Sequence, residues 1–257
     1  MGKSVMISVL ECDNHIDPDR SKWGGYGPLV SKWLRSDHCL RERAQIRNTM
    51  DYPKLGDYDV IIITGAREPR PQELLKRALT NSNTAANPEG HKPWLVKLRE
   101  YINKEVETTS TQKFVGFCFG HQILATAYGL SVECSDSGYE FSATTIQLSD
   151  TGKTLFGQDS ICLDEGHQFQ VKDQDLGQLQ NLGSTDHTHT RSFSSKTPLV
   201  NTSSARIRCY SIRSDTGICE SEIIREGIPY CKGEKYRQCR AASCLEFISQ
   251  FYLGIEI

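Results

Sequence analysis

The run Gly116-Phe117-Cys118-Phe119-Gly120 leaves the chain few ways to fold around it. It follows the apolar segment Lys113-Phe-Val-Gly-Phe117 and precedes a helical segment, His121 to Tyr128, closed by Gly129 as a C-cap. A glycine two residues to either side of a nucleophilic residue, between a buried strand and a helix, is the pattern of a nucleophile elbow. Such a turn is sharp and strained, and the glycines remove side chains that would collide with neighbouring backbone. Cys118 is therefore expected above the sheet edge at a helix N-terminus, where the helix dipole and free backbone N–H groups favour the thiolate. The Phe119 N–H would lie near an oxyanion formed at an attacked carbonyl, and one such donor lowers a barrier by roughly 3–4 kcal/mol. A second donor is expected from Gly65-Ala66, whose loop ends in the same crevice. The reading without chemistry is a buried cysteine in a glycine-rich turn.

The rest of the first half supplies the sheet that such a turn needs. Ser4 to Leu10 reads as a first buried strand, ending in Glu11-Cys12-Asp13. Asp57-Tyr-Asp-Val-Ile-Ile-Ile-Thr-Gly65 is β-branched, apolar without alternation and stopped by glycine, as a strand covered on both faces should be. Pro28 to Arg35 reads as a helix, and Pro93 to Glu107 as an amphipathic one with Leu95, Leu98, Tyr101, Ile102 and Val106 near one stripe. Strands alternating with helices imply a parallel, doubly wound sheet. Beyond residue 130 the pattern changes: Val132-Glu133, Ala143 to Leu148 and Asp159 to Leu163 read as shorter strands of a mixed or antiparallel section. Gly183 to Asp215 is rich in Ser, Thr, His and Arg, with little periodicity, and reads as loop. A helix over 241–252 is expected to end the fold. The architecture predicted is α/β, a flavodoxin-like three-layer domain with a central, mostly parallel sheet. One domain over 1–257 is expected, irregular at about 183–220.

Composition narrows the partners. The chain has 257 residues, enough for a full core, and 30 Lys+Arg against 32 Asp+Glu. That balance gives no electrostatic case for a nucleic acid or an anionic membrane. No apolar stretch approaches a membrane span, and the N-terminal run lacks the features of a signal peptide, so the expected compartment is the cytoplasm. Ten cysteines are many, but no Cys-x-x-Cys occurs, which argues against zinc. Most are expected to be small buried hydrophobes. No P-loop or nicotinamide fingerprint is present, and no cofactor is expected.

Gly-Phe-Cys-Phe-Gly-His-Gln-Ile-Leu-Ala, residues 116–125, resembles the nucleophile motif of class I glutamine amidotransferases, including His121-Gln122 after the elbow. Thr64-Gly65-Ala66 falls where that family supplies oxyanion donors. Gly138-Tyr139-Glu140 resembles the segment lining its glutamine pocket, and Glu165-Gly166-His167 its later histidine-bearing strand. The resemblance covers residues 1 to about 175 and is greatest to the small stand-alone fungal type. It implies the class I glutamine amidotransferase fold, with Cys118 attacking the side-chain amide of glutamine, releasing ammonia and forming a thioester that water hydrolyses. It also implies Gln122, Tyr139, Glu140 and His167 around the substrate, His121 as a packing and orienting residue, and an amidating synthetase as a partner for the ammonia. The substrate would be glutamine or a related γ-glutamyl small molecule, and a role in small-molecule biosynthesis would fit.

One part of the pattern is missing. The family carries its base and the carboxylate that orients it in a late His-Pro-Glu motif. None of His15, His38, His91, His121, His167, His187 and His189 is followed by Pro-Glu. The corresponding region reads Arg208-Cys-Tyr-Ser-Ile-Arg-Ser-Asp-Thr-Gly-Ile218, without histidine. Three explanations stay open. His187 or His189 serves as the base, with Asp186 or Asp215 as orienter. Alternatively the site binds without turnover, as a binding or regulatory protein of the same fold. Or the coding sequence has shifted frame: Gly-His-Pro-Glu-Phe read one base out of phase resembles Arg213-Ser-Asp-Thr-Gly-Ile218, which is one codon longer. A γ-glutamyl peptidase using the same elbow is a further alternative.

Overall fold

The computed structural model describes residues 5–13, 39–66, 88–107, 113–135, 143–164, 167, 169–172, 176, 179–185, 192–195 and 200–203. Among the described residues, five parallel strands form one side of a nine-stranded sheet. They are β1 (Val5–Leu10), β2 (Cys39–Ala44), β3 (Val60–Ile63), β4 (Lys113–Phe117) and β11 (Val200–Ser203), lying side by side as β2-β1-β3-β4-β11. Ile7 pairs with Val60, Ile61 with Phe114, and Ser203 with Phe117. This order, with its reversal beside β1, is that of the flavodoxin-like doubly wound class.

The expected central strand is the most buried. All four residues of β3 are covered, so both faces of a β-branched strand are excluded from water. Ile61 and Ile63 meet Leu95, Leu98 and Ile102 of α2 (Pro93–Glu107) and Phe119, Ile123 and Leu124 of α3 (Phe119–Ala127) in one core with Phe114. Leu95, Leu98, Tyr101 and Ile102 of the predicted α2 stripe thus lie on the face that packs. Helix α3 ends as expected at Gly129, whose φ of +79° is left-handed. Gly129 N–H donates to the Thr126 carbonyl and Leu130 N–H to that of Ala125, each at 3.0 Å, a Schellman closure.

Past β4 the sheet turns antiparallel, as expected. β10 (Ser192–Ser195), β9 (Leu179–Ser184), β6 (Ala143–Leu148) and β7 (Ser160–Asp164) extend it beyond β11, all by antiparallel pairing. β5 (Val132–Cys134) leaves the main sheet and pairs with β8 (Phe169–Val171).

Several elements correct the sequence reading. Residues 183–215 are not all loop: β9 runs to Ser184, and β10 and β11 lie wholly within that range. β11 is polar (Val-Asn-Thr-Ser) and is held by its backbone ladder to β4 rather than by a hydrophobic pattern. β2, Cys-Leu-Arg-Glu-Arg-Ala, lies at a sheet edge, where charged residues are tolerated and the apolar signal is lost. The short helices α1 (Ile46–Thr49) and α4 (Asp150–Phe156) were not expected. α4 is capped by Ser149, whose Oγ accepts from the Gly152 N–H at 3.1 Å and donates to the Asn181 carbonyl at 2.7 Å. The expected helices over 28–35 and 241–252 lie outside the described residues.

At Gly120, α3 crosses β3 with backbone against backbone. A Cβ there would overlap the Ile63 carbonyl oxygen and lie 2.9 Å from its carbon. Gly120→Ala must push α3 off the sheet. The expected outcome is a loss of about 1–3 kcal/mol or more, seen as a lower urea midpoint at unchanged m-value.

Candidate active site

Cys118 stands between the last residue of β4 and the first of α3, with φ +51° and ψ −108°. For a residue with a Cβ this left-handed backbone costs about 1–3 kcal/mol, and the surroundings must enforce it. Gly116 and Gly120 show how they do so. A Cβ on Gly116 would overlap the Gly120 carbonyl and lie 2.6 Å from the His121 nitrogen, so the chain doubles back on itself here. The Gln122 N–H donates to the Cys118 carbonyl at 3.1 Å, and the helix starts from the nucleophile itself. The predicted elbow is present. Cys118 is largely buried, 7% exposed.

Gly65 lies beside it: a Cβ on Gly65 would sit 3.8 Å from the Cβ of Cys118. Ala66 follows, 3% exposed. The two loops expected to supply oxyanion donors therefore meet at the carboxyl ends of β3 and β4. Phe119 is fully buried, its ring 5.5 Å from that of Trp94 on the first turn of α2. The Arg47 guanidinium carbon is 5.1 Å from the Trp94 ring centroid on α1's side of the stack.

Gln122 is buried on α3, and its Nε2 donates to the Phe169 carbonyl at 2.8 Å, tying β8 to the helix. Its Oε1 is buried without a hydrogen-bond partner among the described residues. His167, two residues before Phe169, and His121, next to Gln122, are both 1% exposed. Gly65, Ala66, Cys118 and Phe119 are brought together, with Gln122 one turn further along α3. Tyr139, Glu140, His187 and His189 lie outside the described residues.

The sequence reading treated Glu11-Cys12-Asp13 only as a strand end. In the fold these three are buried at the carboxyl end of β1, with Gln45 Nε2 donating to a Glu11 carboxylate oxygen. Burial pushes the Cys12 thiol well above its ordinary range and the Asp13 charge adds to this, while Arg47 and the nearby polar groups of Thr64 oppose it only in part. Burial likewise raises the Tyr52 phenol, followed by its neighbours Cys12 and Glu100. Among the described residues no group of three His, Cys, Asp or Glu side chains is placed to hold a metal ion, and no helix is long and apolar enough to cross a membrane.

A strand order of this class with a cysteine elbow at the carboxyl end of β4, beside β3, is that of the class I glutamine amidotransferase fold. A Saccharomyces cerevisiae protein named as a glutamine amidotransferase is 35% identical over 202 residues, covering 73% of this chain and 72% of that one. A glutamine amidotransferase-like protein of Schizosaccharomyces pombe is 28% identical over 199 residues, 73% of each chain. The crystal structure of a Thermotoga maritima glutamine amidotransferase superposes with a TM-score of 0.61 at 12% identity, over 98% of this chain and 94% of that one. No protein-family profile matches the chain. The chain belongs to the glutamine amidotransferase-like family, with relatives in fungi.

The burial of Cys12 gives a test that needs no substrate. At pH 8, iodoacetamide should modify exposed Cys134, and reach Cys12 only after unfolding, as read by peptide mass spectrometry. A raised folded pKa means that the native state keeps the Cys12 proton after the unfolded chain has lost it. Stability should therefore fall as pH rises past roughly 8.5, the value of a free thiol. Cys12→Ser should flatten that alkaline slope.

Proposed function

We propose that this protein is a cysteine-dependent glutamine amidotransferase that hydrolyses the side-chain amide of glutamine, or of a related γ-glutamyl compound, and hands on the ammonia. The observation that carries the reading is the enforced left-handed backbone of Cys118 at the start of α3, next to Gly65. The sulfur attacks the amide carbon. The oxyanion is received by backbone N–H groups of Phe119 and of the Gly65-Ala66 loop, which need no reorganisation during the step. Ammonia leaves with a proton, and water then cleaves the thioester to glutamate. Gln122, through its unmatched buried Oε1, offers an acceptor to the substrate's ammonium group, with His167, Tyr139 and Glu140 completing the pocket.

The proton carrier is His189 or His187. Sheet parity supports this. β9 is antiparallel to β10, which is antiparallel to β11, which is parallel to β4. β9 thus runs the same way as β4 and ends at Ser184 on the edge where Cys118 stands, three strand spacings or about 14 Å away. Five residues of extended chain span about 16 Å, so His189 is within reach. The whole chain is read as one cytoplasmic domain that delivers ammonia to an amidating synthetase.

A second reading has its own observation. Residues 208–218, where the family carries its His-Pro-Glu motif, hold no histidine, which favours a protein that binds glutamine without turning it over. Glutamate release from glutamine by the purified full chain separates the two. Steady release is expected, falling to background in Cys118→Ser and by about 10²–10⁴-fold in His187→Ala/His189→Ala if either is the base. Absence of release, together with failure of an electrophilic glutamine analogue to label Cys118, would remove the enzymatic reading. Cleavage of γ-glutamyl peptides in preference to glutamine would point to a peptidase.

A further inference from the structure

Thr64 is fully buried at the junction between β3 and the Gly65-Ala66 loop. Its hydroxyl oxygen accepts from the Cys12 N–H at 3.0 Å, and its hydroxyl hydrogen goes to the Gly65 carbonyl oxygen at 3.1 Å. A hydroxyl has one hydrogen to give and two lone pairs to receive, so both bonds are held at once. The Thr64 N–H in turn donates to the Leu10 carbonyl at 3.1 Å. Backbone and side chain together thus anchor this residue to the end of β1.

The peptide joining Gly65 to Ala66 is trans, so the Ala66 N–H points away from the carbonyl that Thr64 holds. Fixing the carbonyl fixes the facing of the N–H. Gly65, with no Cβ, offers little resistance of its own to rotation of that peptide. It also lies against Cys118, where a change of facing is felt by any bound carbonyl.

We propose that Thr64 is a positioning residue: its hydroxyl locks the Gly65–Ala66 peptide so that the Ala66 N–H faces the carbonyl under attack by Cys118. This rests on the reading of Cys118 as nucleophile. A bond that merely closed the end of β1 would alter stability and leave turnover per folded molecule unchanged.

Thr64→Val keeps the branched shape and removes the hydroxyl, while Thr64→Ser keeps the hydroxyl. With the full chain and glutamine, Thr64→Val should lower kcat roughly tenfold to a hundredfold, less than the roughly 10²–10³ lost when a donor is deleted outright. KM should stay within about twofold, because the donor acts on the transition state. Thr64→Ser should restore most of kcat, and exchange of the Ala66 amide hydrogen should quicken in the valine variant alone. If wild type releases glutamate through Cys118 and Thr64→Val does so with unchanged kcat per folded molecule, the proposal is overturned and the Cys118 reading stands. A wild type silent toward both glutamine and its electrophilic analogue overturns both, and is told apart by needing no variant.

Discussion

The structure depends on backbone meeting backbone at the start of α3. With no Cβ at Gly116 or Gly120, the helix can begin directly on the end of β4 while lying against β3. Everything else at that edge follows from this contact. The strain at Cys118, about 1–3 kcal/mol, is sustained because Phe119, Ile123 and Leu124 are fully buried immediately after it. Burial of each such side chain contributes about 1.5–3 kcal/mol, enough in sum to hold the turn in a conformation it would not choose alone. The stack of Arg47, Trp94 and Phe119 extends that anchorage into α1 and α2. The reactive position is thereby fixed by the core rather than by contacts of its own.

What could be read in the sequence follows from this division. β3 announces itself because a strand covered on both faces has only apolar, β-branched residues to offer, and α2 because its packed face repeats at helical spacing. The elbow is legible because two glycines at fixed offsets record a steric exclusion that no other residue satisfies. β2 and β11 were missed for the opposite reason: their pairing is a matter of backbone hydrogen bonds to a strand already in place, and their side chains carry no period. α4 was missed because seven residues give too short a stripe, although Ser149 followed by Asp150 and closed by Gly157 was a usable capping signal. At the site, Gly65, Ala66 and Phe119 could be anticipated from their distance to the elbow. The bond from the Cys12 N–H to Thr64 could not, since it exists only through the register that sets the end of β1 beside the end of β3.

The sheet also separates the reaction into two inheritances. In the proposed reaction, nucleophile and oxyanion donors come from the ends of β3 and β4 in the parallel block. The proposed proton carrier must arrive on a side chain from chain that follows β4, and residues 208–218 hold no histidine. A polarising, thiol-bearing pocket can therefore survive intact while its proton relay is moved or lost. This is why the same elbow is compatible both with turnover and with capture of a glutamine amide.

The two outcomes are not symmetrical in cost. A strained Cys118 contributes nothing to stability, and a chain selected only to bind would gain about 1–3 kcal/mol by relaxing it. Gly116 is likewise needed only for the tight return onto Gly120 and His121. Gly116, Gly120 and the neighbouring Gly65 leave room for that strained turn, and the absence of histidine from residues 208–218 bears on the route of a proton rather than on the geometry at Cys118.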